Sequence, residues 1–165
     1  MEESNRRRFR ILLVVLAAAA LVLVACYQHW APLLSVSTDA EAGARLLVDH
    51  GFKGDFSPGS LWDLDRYAET GLPGQGSHDE KVRELGAYAG EVIRRARGGK
   101  WVASSSAPSG LELETDGSRS APHAQVARRV AVGRSEAIAP YARTLGVDVR
   151  PVPGWWIEAE TIRKP

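Results

Sequence analysis

The chain is poor in the groups that most often announce a function. It has one cysteine, Cys26, so it can form no internal disulfide and no thiolate metal cluster, and its stability must come from packing. It has no excess of either charge: the formal net charge is +1, and setting aside the arginine-rich first residues leaves the remainder close to neutral. A nucleic-acid binder would normally carry a strong basic surplus, so no nucleic-acid partner is expected. Histidines are few and scattered. His29, His50, His78 and His123 have no second ligand three or four residues further on, and no metal or cofactor is expected. No internal repeat and no low-complexity tract is evident. At 165 residues there is room for one domain with a real core.

What the chain does have begins with a long hydrophobic run. Arg6, Arg7, Arg8 and Arg10 precede an uninterrupted apolar stretch from Ile11 to Tyr27, followed by Gln28, His29 and Trp30. As a helix such a stretch spans roughly 25 Å, the lower limit for crossing a bilayer. Two forms of anchor stay open. Leu23, Val24, Ala25 and Cys26 resemble the lipobox of bacterial lipoproteins, which would make Cys26 the lipidated N-terminus of a cleaved chain. Tyr27 directly after the cysteine departs from the small residue usual there. Alternatively the run is an uncleaved helix with Tyr27 and Trp30 at the interface. In both forms the arginines stay in the cytoplasm, which puts the domain outside the cytoplasmic membrane.

The spacing then predicts a signal or membrane helix over 1–30, a tether over 31–37, a domain over 38–146 and a tail over 147–165 carrying proline and tryptophan. Thr38 with Glu41 forms a capping-box pattern, so a first helix is expected from about Asp39 to His50, stopped by Gly51. Ser57 followed by Pro58 reads as the start of a second helix with Leu61, Leu64 and Ala68 on one face. Ser77 with Glu80 opens the strongest element, His78 to Arg97. Its apolar residues fall within one arc of about 160°, and Gly98 with Gly99 ends it. Next, KWVASS and GLELET read as a β-hairpin, with Leu111 and Leu113 alternating against Glu112 and Glu114. Pro122 opens a helix ending near Gly133. Ser135 is expected to cap another, which Pro140 should kink or break. Trp155 to Ile162 could add a strand to the hairpin. The expected fold class is α+β, with three to five helices on a small antiparallel sheet.

The run from Glu84 to Val102 contains Leu85, Gly86, Ala87, Tyr88, Gly90, Glu91, Val92, Gly98, Gly99 and Trp101, with Pro122 further on. This pattern, LGAYxGEV leading through Gly-Gly into a strand that begins with tryptophan, resembles a family of small bacterial domains of uncharacterised activity. The resemblance extends loosely from about Ser60 to Leu145. It implies an α+β fold and supplies no activity, and the N-terminal anchor departs from many members, which look soluble. From the residues alone, Gly86 and Gly90 strip side chains from one patch of a helix at a cost of about 1 kcal/mol each. Tight packing against the hairpin or the second helix is the expected compensation; a groove floor for a ligand is the other reading.

Candidate catalytic sets are weak. Asp63 with Asp65 and Glu112 with Glu114 are expected on solvated faces, without the burial that raises the pKa of a catalytic acid. Ser104 to Ser106 lack the sharp turn that presents a nucleophile. ARGGK lacks the spacing of a phosphate loop, and the basic run RRARGGK is expected to terminate a helix and stay solvated. Tyr88, Glu91, Trp155 and Trp156 are the candidate interaction surface. These readings favour a non-enzymatic binding or accessory protein of the bacterial envelope, with a membrane and an envelope protein as partners. One alternative is an immunity protein that neutralises a toxin. Another is an envelope hydrolase with a site around Tyr88, Glu91 and His123.

Overall fold

The computed structural model describes residues 2–150 and 152, with side chains described from residue 15 onward except at 23 and 25–32. Five α-helices, α1 (Glu2–Asp49), α2 (Ser60–Glu69), α3 (His78–Arg97), α4 (Pro122–Val132) and α5 (Ile138–Thr144), accompany three strands, β1 (Lys100–Ala103), β2 (Leu111–Thr115) and β3 (Ser118–Ser120). The strands form one antiparallel sheet in the order β1-β2-β3. The class is α+β.

The first helix departs from the sequence pattern. Instead of beginning near Asp39 after a tether, α1 continues unbroken through 31–37. Thr38 and Glu41, expected to cap, lie exposed inside it. Pro32 and the serines at 35 and 37 are poor helix formers, but Val36, Asp39, Ala40, Ala44 and Leu47 are buried against the domain, and tertiary burial outweighs local propensity. The end is as expected: Gly51 takes φ 81° and the Phe52 N–H closes on the Leu47 carbonyl at 2.9 Å. Along the apolar run, Val15, Leu16, Leu21, Val22 and Val24 are all more than half exposed, uncovered by the rest of the chain. Among the described residues no helix is long and apolar enough to cross a membrane; much of the run, including Cys26, lies among side chains outside the description.

α3 is the central element, lying against α1 on one side and α4 on another. Its start shows both halves of the capping box. Ser77 Oγ accepts from the Glu80 N–H at 3.1 Å, and Glu80 accepts from the Ser77 N–H at 3.4 Å. Gly43 sets the approach of α1, since a Cβ there would sit 2.5 Å from the Glu84 carbonyl oxygen. One core gathers Leu47, Leu61, Leu64, Tyr67, Leu85, Ile93, Leu113, Val126 and Ile138. A second, smaller cluster joins Val36 and Ala40 of α1 to Ala87 of α3 and Leu111 of β2.

β1 and β2 pair in the register Trp101 with Leu113. Leu111, Leu113 and Thr115 are buried while Glu112 and Glu114 are partly exposed. β3 was not anticipated. Asp116 and Gly117, both at positive φ (49° and 75°), form the two-residue turn that returns the chain as a third strand. Two helix starts also differ. Ser57 does not cap α2: its N–H and Oγ both donate to Asp55, and α2 begins after Gly59. Ser135 sits in a 3-10 turn, Arg134–Glu136, and α5 starts at Ile138. Pro140 therefore occupies the first turn of α5, where its missing N–H has no helical partner to lose, and it neither kinks nor breaks the helix. The expected strand from Trp155 to Ile162 lies outside the described residues.

Candidate binding cleft

The chain after α1 loops through Phe52, Lys53 and Asp55 before α2, and the chain after α5 returns to the same side as Val149 and Arg150. Between them lies a cleft of about 320 Å³, lined by Lys53, Ser57, Trp62, Asp63, Arg66 and Arg150 among others. Trp62 fixes the junction. Its ring is buried and its Nε1 donates to the Arg150 carbonyl at 2.9 Å, tying α2 to the segment after α5. Ser57 holds the near wall through Asp55, whose carboxyl is lowered chiefly by the Ser57 hydroxyl and then by the Ser57 amide. Arg66 donates to Asp63 and lies over the Phe52 ring at 6.0 Å. Lys53, Arg66 and Arg150 outnumber the carboxylates of Asp63 and, in the near wall, Asp55, which leaves the cleft with a positive surplus suited to a small anion. In its wall the Ser57 hydroxyl donates to the Asp55 carboxylate at 2.6 Å.

The residues singled out by the sequence do not assemble into a site. Tyr88, expected on an interaction surface, is fully buried. Its Oη donates to Ser60 Oγ at 2.5 Å and accepts from the Phe56 N–H at 3.3 Å, and burial raises its pKa. Glu91 is half-buried and holds Arg94 (2.7 Å) and Arg95 (2.9 Å); the Arg94 hydrogen bond is the main reason its pKa is lowered. Gly86 and Gly90 lie about 160° to 200° around α3 from Tyr88, in contact with other elements. A Cβ on Gly86 would fall 2.6 Å from the His123 ring, and one on Gly90 2.2 Å from the Trp101 ring. His123 and Trp101 pack together there with ring centroids 5.5 Å apart. Tyr88 and His123 are thus on opposite faces of α3, and the hydrolase site proposed around Tyr88, Glu91 and His123 does not converge. Trp155 and Trp156 lie outside the described residues.

The carboxylate pair Asp63 and Asp65 was expected to be solvated; both are buried. Asp65 has a structural task. Its two oxygens accept from the Ile138 N–H at 2.8 Å and the Ala139 N–H at 2.9 Å, and Arg129 Nε donates to it at 3.1 Å. Burial pushes its carboxyl up to about 6, against the downward pull of those amides and of Arg129. Ser104 and Ser106 bond to one another in the β1–β2 loop, and His50 stacks on Tyr67. Among the described residues no cluster of three or more ligating side chains could hold a metal ion.

Sequence reasoning missed the cleft because its cations come from three separate stretches. No spacing links Lys53, Arg66 and Arg150. Only Trp62, an aromatic between the apolar positions of α2, hinted that this helix buries a second face. Comparison with family models, with curated proteins and with solved structures returned no match.

Proposed function

We propose that the chain is a membrane-anchored, non-enzymatic binding or accessory module of the bacterial envelope, its N-terminus in the cytoplasm, its domain outside, and its ligand site the cationic cleft beside α2. The observation that carries this reading is the uncovered apolar surface of α1. Val15, Leu16, Leu21, Val22 and Val24 project from a helix that the domain does not cover, and a helix apolar on every side belongs in lipid. The arginines before the run supply the orientation. The cleft offers charge and shape suited to recognition of an anion.

Protease treatment of spheroplasts, with carbonate extraction of the membranes, tests the placement. We expect the chain to resist extraction, and a C-terminal tag to be digested in spheroplasts while staying protected in inside-out vesicles. Extraction of the intact chain into the soluble fraction would overturn the reading. Intact mass of the native chain and of Cys26→Ala separates the two anchors: only a lipoprotein loses residues 1–25 and gains acyl mass that the variant lacks.

A further inference from the structure

The basic run RRARGGK has a place in the fold that its sequence did not disclose. α1 and α3 are antiparallel. The C-terminal end of α1 meets the loop before α3, where His50 lies against Gly74, whose carbonyl accepts from Lys81 Nζ at 2.7 Å near the start of α3. Further back along α1, Gly43 packs between Glu84 and Tyr88, and Ala40, Val36 and Leu33 join Ala87 in the second cluster. The C-terminal end of α3 therefore points back along α1 toward the apolar run. From the Gly43 crossing, Arg97 is about 11 residues on, roughly 16 Å at 1.5 Å per residue. The same distance along α1 reaches about residue 32, roughly 8 Å from the end of the run at Tyr27. The headgroup layer on one side of a bilayer is about 5–8 Å deep, so the last turn of α3 comes level with its outer edge.

Four cations occupy that end: Arg94, Arg95 and Arg97 of α3, and Lys100 of β1. Each has a carboxylate partner, Glu91 for the first two, Asp116 for Arg97 and Glu114 for Lys100. Four cations against three carboxylates leave a positive surplus, and the pairs do not exhaust the donors. A guanidinium carries five N–H groups in a fork that matches phosphate. Arg95 is further held against Phe56, 3.9 Å from the ring centroid, which fixes its stem. Arg95, Arg97 and Lys100 are exposed.

We propose that Arg94, Arg95, Arg97 and Lys100 form the membrane-facing rim of the domain and bind the phosphate groups of anionic phospholipids in the leaflet from which α1 emerges. The proposal rests on the anchor reading above. With the unbroken helix of α1 it makes the domain's attitude toward the bilayer fixed, with the rim seated on the headgroups and the loop around Gln75 at the far end.

Depth-dependent quenching tests it on the full chain carrying Cys26→Ser, labelled with a fluorophore at Ala96→Cys or, for the far end, at Gln75→Cys. Vesicles of phosphatidylcholine, alone or with phosphatidylglycerol, carry a headgroup spin label. We expect the label at 96 to be quenched several-fold more than that at 75, more so with phosphatidylglycerol, and the phosphatidylglycerol increment to fall with added salt. Replacing all four cations by glutamine should abolish that increment. Raised salt on the native rim gives the same reading should the variant fold poorly. Failure of the chain to float with vesicles overturns the anchor and the rim with it. Flotation with equal quenching at 96 and 75, or with no dependence on phosphatidylglycerol, overturns the rim and leaves the anchor standing.

Discussion

At the scale of single residues, the most consequential contact is the close seating of His123 on Gly86 and of Trp101 on Gly90. The four-residue spacing of the glycines was legible, since only close packing by another element offsets two helix-weakening residues; which residues would seat there was not, because His123 follows in α4. The burial of Tyr88 was illegible for a related reason. It lies at the border of the apolar arc of α3 and is covered by Phe56 and Ser60, residues that no helical pattern of α3 contains. His123 carries a pH prediction. Burial lowers its pKa to about 4, with Asp39 pulling upward and Arg83, which pairs with Asp39, opposing it. Its Nδ1 and the Trp101 Nε1 are buried without a hydrogen-bond partner among the described residues. The unfolded chain binds a proton at this ring near pH 6.5 and the folded chain only near 4, so stability falls as pH drops through that window, by up to about 3 kcal/mol. Asp65, raised by burial, contributes a slope of opposite sign, and a difference measurement removes it. Urea denaturation of the wild type and of His123→Leu between about pH 7 and 5 should show the wild type losing stability relative to the variant as pH falls. Parallel curves would contradict the assignment.

At the scale of elements, the order of most helices and of the hairpin was readable, because glycine stops, alternation and the Ser77–Glu80 box are local signals, whereas the Thr38–Glu41 pattern and Ser57 misplaced two helix starts and β3 was missed. What was hidden is how α5 begins. The pattern pointed to Ser135 as the cap, yet the free N–H groups of the first turn of α5 are satisfied by Asp65, about seventy residues earlier in the chain. A carboxylate at a helix N-terminus is favoured by both hydrogen bonding and the helix dipole. The same side chain neutralises Arg129 of α4, whose Nη2 also donates to the Asp65 carbonyl at 2.8 Å. One buried aspartate therefore locks α2, α4 and α5, and Glu69 extends the set outward to Arg129 and Arg134. Helical spacing sets Asp65 on the face of Leu61, Leu64 and Ala68 and Asp63 opposite them, so the burial of Asp65 was open to the pattern while its partners in α4 and α5 were not. Asp65→Ala should cost about 3–5 kcal/mol in urea denaturation, because it takes the buried carboxylate from both Arg129 and the first turn of α5, leaving Arg129 with Glu69 and a backbone carbonyl. Asp65→Ala with Arg129→Met should cost less than the sum of the two single changes. Additive losses would mean that the two side chains stabilise the fold separately.

For the whole molecule, the decisive feature is that one helix serves two surroundings. Up to Val24 the described apolar side chains of α1 face away from the domain, and from Val36 onward Val36, Ala40, Ala44 and Leu47 fill it. The sequence suggested a break between these halves, because Pro32 and the serines near it resemble a tether; a continuous helix was illegible because its stability there comes from α3 and β2. The division of labour makes a prediction about where the chain can be cut. A fragment of residues 33–165 retains every described α1 side chain in the two cores, so it should fold with a melting temperature close to that of the full chain in detergent, and should stay soluble after ultracentrifugation. A fragment beginning at Gly51 loses Val36, Ala40, Ala44 and Leu47 and uncovers the faces of α3 and β2 that they seal. Leu47 alone, fully buried, is worth about 2–5 kcal/mol on truncation to alanine. Against the roughly 5–15 kcal/mol that holds a domain together, losing all four should abolish cooperative unfolding. Circular dichroism melts of the two fragments decide it. A cooperative transition in the shorter one would show that α1 is packed onto the domain without being part of its core, and the rim of α3 would then have no fixed height above the membrane.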